Sequence, residues 1–330
     1  MSADTESQST EVESGTKTEW EKTESESEAP EVPCLRNWLE LPRDVTASIL
    51  LKLGPIEIIE SAQKVCTLWR NICKDPSMWR FIDMQNPGDL HDMPYCLEKM
   101  CIHAIDRSAG GLVGINIEYF GTDELLAYIA ERASQLRRLQ LACCYDISDE
   151  GLSEAASKLP LLEELEIHVG DTNKDAIEAV GRCCPLLKTL KHNQQGIRNT
   201  SFCNDEEALA IAQNMPGLYH LQLIGNCLTN HGLQAILDGC PHLESLDLRK
   251  CFHVNLEGDL GKRCAQQIKN LRRPNDSTCD YKFAVEVGES GYLFDESDLS
   301  DYGSMYGYDD FDGYDGFDGY DSDLNPYWSD

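Results

Sequence analysis

The sequence predicts an α/β chain: a small helical module near the N terminus, then a short solenoid of alternating strands and helices, between acidic tails. Three observations carry that expectation. Trp69, Trp79 and a row of aliphatic residues are compressed into residues 35–84. A Leu-x-x-Leu-x-Leu pattern recurs from residue 112 onward. Of the net charge of −30, the tail segments 1–34 and 286–330 together carry −22.

Residues 1–34 hold ten acidic and two basic residues among many Ser and Thr. So few apolar side chains cannot offset the entropy of ordering, so the segment is expected to be disordered. It also lacks the charged-then-apolar order of a secretory leader.

The helical module covers 35–84. Pro42 suits a first helical position, and Asp44 the positive end of the helix dipole. Val45, Ile49, Leu50 and Leu53 recur at helical spacing. Gly54-Pro55 ends that helix and opens a second, whose single apolar face is expected to carry Ile58, Ile59, Ala62, Val65, Cys66 and Trp69. Pro76 breaks the pattern and Trp79 follows a turn. A unit this short hides a smaller share of its surface than a larger domain does, so a partner protein is expected to cover the remainder.

The pieces Leu41-Pro42, Asp44-Val45, Ile49-Leu50, Leu53, Pro55, Val65-Cys66, Trp69-Arg70, Asp75-Pro76 and Trp79 together resemble the F-box. By that segment, substrate-recruiting subunits dock on Skp1 in cullin-based ubiquitin ligases. Thr46 departs from the leucine common there, although plant members often carry Thr. The resemblance implies Skp1 contacts at Leu41, Pro42, Ile49, Leu50, Leu53, Val65, Cys66, Trp69 and Trp79. It also implies cullin and RING subunits reached through Skp1, with the chemistry on the RING subunit and its E2. No catalytic residue is expected in this chain, which contains no Gly-x-Ser-x-Gly, phosphate loop or His-Glu-x-x-His.

Residues 85–111 hold a connector. Leu97, Met100, Cys101, Ala104 and Ile105 form one helical face ending at Gly110-Gly111, expected to cap the first repeat.

The repeats occupy 112–275. Their first leucines are Leu112, Leu136, Leu162, Leu187, Leu218 and Leu243, with steps of 24, 26, 25, 31 and 25 residues. That period with alternating leucines indicates about six leucine-rich repeats, one strand and one helix each. Thr122, Ser148 and Thr229 are expected N-caps. Cys144 and Cys251 stand where Asn226 does in another unit, and Cys184-Pro185 and Cys240-Pro241 precede strands. This resembles the cysteine-containing subclass common behind F-boxes. The long fourth unit is expected to emit a loop at about 194–204.

Alternate strand residues point to the concave face. These are Arg138, Gln140, Glu164, Glu166, His168, Thr189, Lys191, His220, Gln222, Ser245, Asp247 and Arg249. A mixed polar surface suits a protein substrate; a solvated face with binding elsewhere, such as the 194–204 loop, is the competing reading.

An acidic chain without a basic patch disfavours nucleic acid and anionic membranes. No apolar run reaches the roughly twenty residues that span a bilayer. His91, Cys96, Cys101 and His103 lack the close spacing of a zinc site, and residues 310–315 lack the closing Glu of a calcium loop, so no metal or cofactor is expected. The 15 cysteines suit reduced thiols in nucleus or cytoplasm. Residues 276–330 form an acidic Gly/Tyr/Asp-rich tail, expected to be mostly disordered, with Phe283–Val287 able to pair with the last repeat. The expected function is a substrate receptor of a Skp1–cullin–F-box (SCF) ligase. The alternative is a non-catalytic repeat scaffold or inhibitor that binds Skp1 or another partner without directing ubiquitination.

Overall fold

The computed structural model describes residues 40–86, 95–170, 172–194 and 204–283. The expectations for residues 1–34, for the 195–203 loop and for everything after Phe283 lie outside the described residues. The chain divides at Pro42 into two units, and of the first only residues 40–42 are described.

The second unit opens with α1 (Arg43–Leu50), α2 (Gly54–Glu60) and α3 (Thr67–Cys73). Pro42 stands just before the first helix, not inside it. Gly54 takes φ +81°, a conformation easy only for glycine, and Pro55 follows in the first turn of α2.

One expectation fails here. The apolar positions from Ile58 to Trp69 do not share a single helical face. α2 stops at Glu60, a 3-10 turn covers Ala62–Lys64, and Cys66 is extended (φ −158°, ψ 168°) as the N-cap of α3. Its Sγ accepts the Trp69 N–H at 3.5 Å. An extended residue cannot continue a helical stripe, so Ile58, Ile59 and Ala62 stay in the core while Val65 turns out to solvent. The α1 stripe is likewise split: Thr46 and Leu50 are buried, whereas Val45 is exposed.

Eight parallel strands among the described residues lie side by side in chain order. They are β1 (Phe81–Met84), β2 (Gly114–Glu118), β3 (Arg138–Ala142), β4 (Glu164–His168), β5 (Thr189–Asn193), β6 (His220–Gln222), β7 (Ser245–Asp247) and β8 (Asn270–Arg272). Helix α4 (Leu97–Arg107) buries the five apolar residues expected of the connector. Helices α5 (Asp123–Arg132), α6 (Asp149–Lys158), α7 (Lys174–Cys183), α8 (Glu206–Asn214), α9 (Asn230–Gly239) and α10 (Asp259–Gln267) alternate with the later strands.

The register is a single row. Ile82, Ile115, Leu139, Leu165, Leu190, Leu221, Leu246 and Leu271 stand opposite one another from β1 to β8. β1 and β8 extend the sheet beyond the six units of the sequence pattern. Neither follows a leading leucine three residues earlier. β1 also ties the helical module to the solenoid through backbone pairing with β2.

Side chains stitch neighbouring repeats. Thr122, Ser148 and Thr229 cap their helices through Leu125, Gly151 and His231 N–H. Asp123 accepts the Ser148 N–H and hydroxyl at 2.9 and 2.7 Å, and Asp205 holds Thr229 in the same way. Cys251 donates to the Leu223 carbonyl in the preceding repeat. Burial pushes the Cys144 thiol to about 11 and the Cys184 thiol to about 12, so both are poor nucleophiles.

The fourth unit lacks a third leucine. In its place His192 is buried opposite Ile167, with Nδ1 3.3 Å from Glu207 and Nε2 3.2 Å from Thr172. Burial alone would raise the Glu207 carboxyl. Its bonds with His192, Asn226 and Gln194 outweigh that and hold it below its ordinary value.

Candidate protein-docking surfaces

The helical module fills its own core and still leaves aliphatic side chains in water. Leu50, Ile58, Ile72 and Trp79 are buried, and the Trp79 indole N–H donates to the Cys73 carbonyl at 2.8 Å. Arg107 from α4 lies over that indole, 5.3 Å from the ring centroid. Outside, Val45, Leu51, Leu53 and Val65 are 39, 51, 44 and 63% exposed. Of the residues the F-box resemblance assigned to an adaptor, Ile49, Cys66 and Trp69 are half-buried. Leu41 is half-buried and Pro42 exposed.

Leu50 and Trp79 are different: both are enclosed in the core, Trp79 with Arg107 of α4 over its ring. In this fold they support the outer surface instead of forming it. Leu51 was missed by sequence reasoning. The run Leu50-Leu51-Lys52-Leu53 carried the signal, because consecutive residues after a helix cannot all face one core.

On the concave side, Arg138 and His220 are exposed, while Gln140, Glu164, Glu166, Thr189, Lys191, Gln222 and Ser245 are half-buried. Arg138 pairs with Glu164 at 3.2 Å. Glu166 pairs with Lys191 and accepts from His168 Nε2 at 3.0 Å. Gln222 donates to Asp247 at 3.0 Å and accepts from Asn193 at 3.1 Å.

Burial would raise the Glu166 carboxyl. Hydrogen bonds from His168 and Lys191, with the Lys191 charge, overcome it and bring the group down to about 2. Glu164 is pushed up, first by burial and then by Glu166 beside it. A lowered folded value means Glu166 stabilises the fold fully above its ordinary 4.5, and this contribution disappears as pH falls towards about 2. Glu166→Gln is therefore expected to flatten the acid limb of a thermal-stability profile between those values. An unchanged slope would remove Glu166 from the account.

His168, Asp247 and Arg249 are not open to solvent as expected of concave positions. The chain beyond β8 folds back over them. The Arg249 guanidinium is held by Asp247 (Nη2–Oδ2 2.7 Å), donates to the Ser277 carbonyl at 2.9 Å and pairs with Asp280. Arg272 meets the same Asp280 at 2.6 Å. Tyr281 Oη lies 3.1 Å from His168 Nδ1, and the Phe283 ring stacks on His168 with centroids 4.8 Å apart. Lys282 Nζ sits 2.7 and 2.9 Å from the two oxygens of buried Glu118. Sequence reasoning missed Glu118 and this strap, because the contacts join residues up to 197 positions apart. The strap leaves open the region of Arg138, Gln140 and Glu164 beside Phe81 and Asn116, and that of Thr189, Lys191, His220, Gln222 and Ser245.

The described residues contain no group of three His, Cys, Asp or Glu arranged for a metal, and His91 lies outside them. No helix among them is long and apolar enough to cross a membrane.

A family model described as F-box-like matches residues 38–85. F-box protein SKIP19 of Arabidopsis thaliana is 55% identical over 271 residues, covering 82% of this chain and 88% of that protein. Putative F-box/LRR-repeat protein 23 of the same plant is 53% identical over 274 residues, covering 81% of this chain. The chain spans 61% of that relative's length. A remote likeness, at 15% identity and TM-score 0.45 over 66% of this chain and 57% of the other, is to a chain in the crystal structure of the yeast Rad7 and Elc1 complex. With this F-box, this parallel repeat sheet and these identities, the chain belongs to the F-box/leucine-rich-repeat proteins.

Proposed function

We propose that the chain is the substrate-recognition subunit of a Skp1–cullin–F-box ubiquitin ligase, acting without catalysis of its own in nucleus or cytoplasm. The carrying observation is the set Val45, Leu51, Leu53 and Val65, exposed on a module whose core is already filled. An adaptor that covered these side chains would take their apolar surface out of water, which favours docking there. The F-box implies a Skp1-type adaptor as the occupant, and through it cullin and RING subunits. A protein substrate then binds the concave face.

The join between the two parts matters for mechanism. β1 is hydrogen-bonded to β2, and α4 packs on both β1 and α5, so the module is anchored to the sheet at two places. A substrate on the concave face is held at a set distance from the E2, and transfer accelerates through effective concentration.

Co-expression with a Skp1-type adaptor, cullin and RING subunits tests this. All are expected to co-purify, and a protein bound by the repeats is expected to acquire ubiquitin. Recovery of the adaptor without cullin would instead support the scaffold reading. Leu41→Ala with Pro42→Ala is expected to weaken adaptor binding at least about ten-fold in a calorimetric titration, since interface anchors contribute ~2 kcal/mol each. Unchanged affinity in a folded variant would reject those two residues as contacts.

A further inference from the structure

We propose that the concave face receives a partner segment carrying an acid, a tyrosine, a lysine and a second aromatic ring in that order, the chemistry its own residues 280–283 display there. This rests on the reading that substrate binds this face, and it names the class of substrate.

The receiving groups stand on consecutive strands and are oriented without the strap. Arg249 is fixed by two oxygens of Asp247 (Nε to Oδ1 and Oδ2, both 3.0 Å) and offers its remaining nitrogen to a carboxylate. His168 is fixed by Glu166 through Nε2 and by the Asn193 amide on Nδ1 at 3.0 Å, which presents its ring face, and the edge at Nδ1 shared with Asn193, to a tyrosine. Glu118 is turned by the Asn116 amide at 3.0 Å and ends in a carboxylate only 1% exposed. Such a buried charge needs a cation, and a lysine ammonium supplies it.

The occupant is held loosely by comparison. The Tyr281 N–H is spent locally, on Thr278 O at 2.9 Å, so beside the Ser277 carbonyl on Arg249 the holding falls to side chains. Asp280 and Lys282 are 49 and 53% exposed. A competitor can therefore take the subsites one at a time. Built receptor groups under a displaceable internal ligand are what a groove needs to discriminate one segment from another.

The test is a fluorescence-anisotropy titration of full-length protein with a labelled peptide of residues 276–283, Cys279 replaced by Ser. The strap variant Asp280→Ala, Tyr281→Ala, Lys282→Ala, made in the full chain, is expected to bind it saturably. Wild type is expected to bind at least ten-fold more weakly, because its tethered segment competes at high effective concentration. A peptide with Lys282→Glu is expected to lose binding to the strap variant. Should the triple variant lose its thermal transition, Asp280→Ala alone in the full chain, at a half-exposed acid whose loss leaves Arg249 paired with Asp247, serves in its place. Absence of saturable binding to a folded strap variant, or equal binding to variant and wild type, overturns the proposal. No adaptor takes part in this titration, so failure here leaves Skp1 docking standing, and failure of Skp1 docking leaves this result untouched.

Discussion

Leu221→Asp is expected to abolish the cooperative thermal transition of the repeat array. Leu221 is 2% exposed on β6 and stands in register between Leu190 and Leu246. Losing a buried leucine costs about 2–5 kcal/mol before any charge is considered. The new carboxylate would then be enclosed among leucines with no cation beside it, adding several kcal/mol more. A domain stable by about 5–15 kcal/mol does not absorb both. In a sheet where each strand pairs only with its neighbours, a break at β6 separates β5 from β7 and exposes two apolar faces. Calorimetry of the purified variant decides the matter: a full transition at the wild-type temperature would mean the leucine row does not face the core.

That row was legible in the sequence because it is periodic. Leu139, Leu165, Leu190, Leu221 and Leu246 repeat at steps of 26, 25, 31 and 25 residues, regular but for the long fourth unit, and the sheet places them opposite one another. The connector helix was legible for the same reason, and its five apolar residues are the five that α4 buries. What escaped has no period. β1 is four residues, Phe-Ile-Asp-Met, indistinguishable in isolation from a loop after Trp79. Cys66 ends one helical stripe by a local change to extended backbone that no spacing announces.

The candidate sites divide along the same line. The outward-facing alternation of the strands gave the concave positions, since side chains alternate strictly along a strand. Which of them stay accessible depended on a segment far along the chain. His168 and Arg249 are shielded by residues 277–283, brought back over the sheet by turns after β8. On the helical module, a motif match returns residues that matter without separating those that touch a partner from those that hold the surface in shape. Trp79 and Val65 both belong to the motif, yet one is 1% and the other 63% exposed. Only packing distinguishes them.

Arg249→Met is expected to lower the melting temperature by roughly 6–12 °C. Burial opposes the guanidinium charge, but Asp247 and Asp280 outweigh it and hold the group more firmly protonated than usual. Removing the arginine leaves Asp247 7% exposed without its cation. Breaking such a pair costs about 3 kcal/mol, the lower end of the usual range because only the strap covers the site. For an array of this length each kcal/mol shifts the transition by about 2–4 °C. Asp280 is 49% exposed, so Asp280→Asn should lower the melting temperature far less, although it removes a partner of the same arginine. Adding Asp247→Asn to Arg249→Met should recover part of the loss, because a neutral amide needs no counterion; the two changes are then non-additive, as for any pair sharing one interaction. Equal melting temperatures for Arg249→Met and Asp280→Asn would show that the arginine belongs to the strap alone and not to the sheet beneath it.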